Sequence, residues 1–116
     1  MEGKSVKINI DFGHPYFDEK TIFELTLNDL DCFYHDENEV NQLNLFFVLE
    51  ASLHKFQSGN RMKTAARCAF LMAYYLFLPL TPPASLELAE FYIDRALEWD
   101  ETPEYREWKK LIDEGN

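Results

Sequence analysis

Glycine and cysteine are scarce in this chain, bases are outnumbered by acids, and no apolar run is long enough to cross a bilayer. Only Gly3, Gly13, Gly59 and Gly115 occur in 116 residues. The P-loop and the dinucleotide-binding loop each need several glycines within a few residues, so neither phosphate cradle can be built. Cys32 and Cys68 lie far apart, without CxxC or Cys/His spacing. That excludes a disulfide framework and a thiolate zinc motif. Both are expected to be free thiols in a reducing cytoplasm, with Cys68 packed as a small hydrophobe. The longest apolar run, CAFLMAYYLFLPL at residues 68–80, is thirteen residues long and contains Pro79. A membrane helix needs roughly twenty residues, so the run reads as a buried central helix, and the amino terminus carries no hydrophobic signal segment.

Eleven Lys and Arg stand against twenty-one Asp and Glu, a formal charge of −10, and residues 1–60 carry eleven acids and only four bases. Such a field repels phosphate backbones and anionic lipid, which disfavours direct nucleic-acid or membrane-surface binding and favours a protein partner with a basic surface. The one basic cluster, Arg61, Lys63 and Arg67, suits ion pairs within the chain or between two copies.

Local signatures of catalysis are missing too. His14, His35 and His54 have no second ligand at zinc-motif offsets. The acids Asp29, Asp31, Asp36, Glu37 and Glu39 fail the EF-hand pattern, because Tyr34 stands where glycine is required and Val40 where a bidentate Glu is required. No serine sits in a nucleophile elbow. The expectation is therefore a protein that is not an enzyme, with no catalytic residues, no metal and no cofactor.

Aromatic residues are abundant: ten Phe, six Tyr and two Trp. Either rings dominate the core or some remain outside as a docking surface. Along the chain, Val6, Ile8, Ile10 and Phe12 alternate with polar residues, as do Phe23, Leu25 and Leu27, which predicts two strands pairing as a β-hairpin over residues 1–27. Residues 28–39, NDLDCFYHDENE, read as an acidic loop or short helical turn. From Val40 to Ser58 the spacing predicts a helix stopped by Gly59, apolar on more than one face, so that one face either is clamped or serves a partner. Asn60 is expected to cap a helix running from Met62 to about Phe77. Ser85 is expected to cap the next, and Thr102, followed by Pro103, the last. The predicted fold is α+β, mainly α, a single domain over residues 1–116: a short amino-terminal β-hairpin and, at 40–114, an antiparallel stack of about four helices.

In SLELAEFYIDRALEW, Ala89, Ile93 and Ala96 share one helical face on which small residues admit a neighbouring backbone. The spacing resembles the second helix of a tetratricopeptide repeat, in which Ala, a bulky residue and Ala recur. Glu101 stands where that family often has proline, with Pro103 two residues later. Met72, Ala73 and Leu76 would supply the first helix, about four residues further from Ala89 than the usual period. The resemblance covers residues 62–114 and implies a helical hairpin with a closing helix.

The function expected from these residues is a small protein–protein interaction module, an adaptor, assembly chaperone or inhibitor of immunity type. Asp29, Asp31, Phe33, Tyr34, Asp36 and Glu37 are the candidate partner-binding residues, rings anchoring the partner and acids steering it. The alternatives are an acidic nucleic-acid mimic that blocks a DNA- or RNA-binding protein and a small enzyme. The all-round apolar helix at 40–58 also admits a homodimer.

Overall fold

The computed structural model describes residues 8–115, and among them it is all-helical, with six α-helices and no strand. They are α1 (Glu19–Glu24), α2 (Leu27–Asp36), α3 (Glu39–Ser58), α4 (Met62–Tyr75), α5 (Ser85–Trp99) and α6 (Pro103–Glu114), with a wide π-helical turn, Leu76–Leu80, after α4.

Helix α4 is the axis of the molecule. Thr64, Ala65, Ala66 and every residue from Cys68 to Tyr75 are buried, so beyond its first turn, where Lys63 is exposed, the helix has no solvent face. Its small residues, Ala65, Ala66, Ala69 and Ala73, let other helices approach closely, while Phe70, Leu71, Met72 and Tyr75 fill the spaces between them. Each fully buried large apolar side chain contributes about 1.5–3 kcal/mol. Paired contacts fix the directions of its neighbours. Tyr75 near the end of α4 donates to the carbonyl of Gln42 near the start of α3, so α3 runs antiparallel to α4. Arg67 meets Glu104 and Tyr74 meets Trp108, so α6 runs parallel to α4. Lys109 pairs with Asp94, and Gly115 lies against Leu86, so α5 opposes α6. Glu19 bonds Thr64 and Asp31 bonds Tyr74, so α1 and α2 follow α4 on its remaining side.

The α+β expectation is corrected. Of the first predicted strand, Val6 lies outside the described residues. Ile8 and Ile10 pack partly on the core, but Phe12 is 83 % exposed, and the segment has no ladder. It lies beside α3, where Phe17 donates its N–H to Ser52 Oγ at 3.0 Å. The second predicted strand is the end of α1 and the start of α2. The buried positions there are Ile22, Leu25, Leu30 and Phe33, whereas Phe23 points outward, so the alternation of 23, 25 and 27 does not describe the buried face. Caps decide the matter. Asp18 accepts from Thr21 N at 2.8 Å to start α1, and Thr26 and Asp29 form a reciprocal capping box that starts α2. Residues 28–36, read as a loop or short turn, are therefore part of a ten-residue helix.

Other boundaries follow their capping chemistry. Thr102 Oγ1 accepts from Tyr105 N at 3.1 Å, with Pro103 in the first turn, and Gly59 terminates α3, both as the sequence indicates. Asn38 caps α3 through Asn41 N. Asn60 does not cap α4: its φ of 64° makes the turn instead, and Arg61 precedes the helix without a side-chain cap. Ser85 lies within α5, preceded by Ala84 at φ 61°.

Arg67 joins three elements from inside the shell. Its side chain is only 15 % exposed, donates to the Leu25 carbonyl at 2.8 Å, reaches Glu104 and lies over the Phe70 ring. Arg61 pairs with Glu19, so these two members of the basic cluster serve contacts within the chain, with carboxylates outside the acidic segment 28–39.

Candidate interaction surface

The six residues singled out in the sequence fall on α2 and its exit and do not share one exposed face. Asp29 is 5 % exposed and belongs to the capping box, and Phe33 is in the core. Tyr34 is half-buried, edge-on to Tyr75. Asp31 is at the surface but accepts from the Tyr74 hydroxyl at 2.7 Å. Glu37 accepts from Asn41 Nδ2 at 3.0 Å, and Asp36 is exposed beside His35. Asp31 and Asp36 are the two that face solvent.

A different surface carries the exposed rings, on α3 and α5. These helices are parallel neighbours: Phe46 meets Tyr92, and Tyr92 Oη is 3.5 Å from Glu50 Oε2. On α3, Val40, Leu43 and Phe47 follow i, i+3, i+7 spacing and point away from the core, and Phe47 is 59 % exposed. On α5, Leu88 and Phe91 do the same, with Phe91 half exposed. Edge-to-face contacts join Phe47, Phe46, Tyr92 and Phe91 in an unbroken ladder of four rings with centroid spacings of 5.0–6.1 Å. Phe47 also helps line a hollow of about 200 Å³ that Ile10, Phe12 and Pro15 close from the other side of α3. Exposed single apolar residues are ordinary on a protein surface, whereas here two exposed rings, Phe47 and Phe91, are linked through two partly buried ones.

Beyond the ladder, toward the carboxyl ends of both helices, the surface dips into a groove of about 380 Å³ lined by Glu50, His54, Gln57, Arg95 and Trp99 together with the flanking rings. Arg95 lies over the Phe91 ring and pairs with Glu98 at 2.9 Å. His54 Nε2 is 3.9 Å from Glu50. Burial first, then the charge and hydrogen bond of Glu50, raise the Tyr92 phenol above its ordinary range, so it stays a neutral donor in the groove wall. Glu39 and Glu87 precede Leu43 and Phe91 by one helical turn and have no basic partner among the described residues.

The buried titratable groups serve packing. Burial pushes the Cys68 thiol up to about 12, and burial followed by Asp31 raises the Tyr74 phenol well above its usual range. Among the described residues no cluster of three or more His, Cys, Asp or Glu could hold a metal ion, and no helix is long and apolar enough to cross a membrane.

Sequence reasoning marked α3 as apolar beyond one face but missed its pairing with α5. The signal was present: Leu88, Phe91 and Tyr92 form a second apolar stripe on α5, beside the Ala89, Ile93 and Ala96 face that the core takes. Comparison with protein-family models, with curated proteins and with solved structures gives no match to this chain.

Proposed function

We propose that this protein is a small protein–protein interaction module that docks its partner on the aromatic face of α3 and α5. The observation supporting this reading is the four-ring ladder Phe47–Phe46–Tyr92–Phe91, whose two end rings stand more than half and half exposed although the chain has a complete core without them. Aromatic anchors ringed by polar groups are the usual source of binding energy at protein interfaces. The surrounding acids steer the approach of a basic partner.

The test is affinity capture from the native host with the wild-type chain and with a Phe47→Asp/Phe91→Asp variant, after thermal melting has shown that the variant folds. A specific protein retained by the wild type and lost by the variant supports the reading. Identical captured proteins with both chains would overturn it.

A further inference from the structure

We infer that the occupant of the α3–α5 face is a basic amphipathic helix of the partner, laid along the seam between the two helices; this rests on the interaction reading above and specifies its partner. Shape is the first argument. Two parallel helices in contact through Phe46 and Tyr92 present the exposed rows Val40–Leu43–Phe47 and Leu88–Phe91 side by side, and a groove of about 380 Å³ opens between them toward their carboxyl ends. Helix α5 has fifteen residues and is about 20 Å long at 1.5 Å per residue, the length of four helical turns. A third helix seats its i, i+3, i+4, i+7 side chains into such a seam as an amphipathic ligand does in a groove. The exposed ridge residues offer on the order of 500 Å² of apolar surface, a large part of the roughly 800 Å² per partner of a standard interface.

Charge identifies which helix. Glu39 and Glu50 on α3 are eleven residues apart, as are Glu87 and Glu98 on α5, so each helix has a carboxylate on either side of the level at which Phe46 meets Tyr92. The groove holds the guanidinium of Arg95, already paired with Glu98 and stacked on Phe91, and the imidazole of His54, beside Glu50. The frame is therefore acidic, within a chain of formal charge −10. A second copy would set carboxylates against carboxylates across an apolar contact, which costs affinity. A helix with an apolar stripe flanked by Lys and Arg meets rings with rings and acids with bases.

Two dye-labelled helical peptides of about 18 residues provide the probe, sharing one Leu/Phe stripe, the first flanked by Lys and Arg and the second by Glu. Fluorescence anisotropy against the full chain is expected to show the basic peptide bound at least tenfold more tightly than the acidic one, weakening as salt rises from 0.05 to 0.3 M. The Phe47→Asp/Phe91→Asp variant is more acidic than the wild type yet is expected to bind the basic peptide at least tenfold more weakly. Glu39→Lys/Glu87→Lys, which keeps the rings, is expected to shift the preference toward the acidic peptide, and keeps the test open should the first variant fail to fold. Equal binding of both peptides, or undiminished binding by a folded Asp variant, overturns the inference. So does a wild-type dimer that the Asp variant abolishes. If neither peptide binds while a native partner is still captured through Phe47 and Phe91, the helix inference falls and the broader interaction reading survives.

Discussion

The Tyr74 hydroxyl donates to the Asp31 carboxylate at 2.7 Å, tying the enclosed helix α4 to α2 at the surface. A hydrogen bond to an ionised acceptor is worth about 1.5–3 kcal/mol when buried, and the exposure of Asp31 reduces that here. Tyr74→Phe is expected to cost about 1 kcal/mol in urea unfolding, and a cycle with Asp31→Ala to show coupling of similar size. Additive single effects would mean that the bond contributes nothing.

The ladder rings and the core rings will respond differently to truncation. Phe47→Ala and Phe91→Ala are each expected to cost about 1 kcal/mol, because each ring leaves half or more of its surface in water. Phe70, fully buried and stacked on Tyr105 at 4.7 Å, is expected to cost about 3–5 kcal/mol as Phe70→Ala. Comparable losses at Phe47 and Phe70 in chemical denaturation would show that the outer ladder belongs to the core.

Ala84 precedes α5 in the left-handed region, at φ 61°. An alanine methyl group is disfavoured there, whereas glycine is not. Ala84→Gly is expected to raise stability by about 0.5–1 kcal/mol, read as a higher urea midpoint with unchanged slope.

Cys32 is exposed on α2, and Cys68 is buried with its thiol pushed up to about 12. A colorimetric thiol reagent at pH 8 is expected to modify one cysteine rapidly in the native chain and the second only on unfolding, with mass spectrometry assigning the fast site to Cys32. Fast modification of Cys68 would place it at the surface.

Acid will weaken the anchor of α1. Hydrogen bonds from Arg61 and then Thr64 lower the Glu19 carboxyl below its ordinary value. A lowered folded-state pKa contributes stability that is fully present above the unfolded value, near pH 4, and is lost as pH falls through the lowered one. Glu19→Gln is therefore expected to be less stable than wild type at pH 7 and to converge with it in strong acid, as urea midpoints at several pH values will show. A constant difference at all pH values would mean that the ionised form has no special role.

Much of the helical frame can be read directly from residues. The run at 68–80 is apolar all round because α4 is enclosed, and Ala89, Ile93 and Ala96 share a face because α5 approaches α4 closely. Thr102 and Pro103 announce α6 by their own chemistry. The amino-terminal third misleads because Phe23, Leu25 and Leu27 happen to alternate, while the determining signals, Asp18 as a cap and Thr26 with Asp29 as a box, are single polar residues easily taken for loop. The ring ladder was half legible. The surplus apolar face of α3 shows in its sequence, but Phe46 and Tyr92 are forty-six residues apart, and only the common packing of α3 and α5 on α4 brings them together.

Because α4 beyond its first turn is enclosed by its neighbours, any change along it must be absorbed by the packing. On the exposed faces of α3 and α5 a substitution alters the surface with far less effect on what is folded. A saturation survey of single substitutions would thus divide the chain sharply, intolerant along one central stripe and permissive over the ridges.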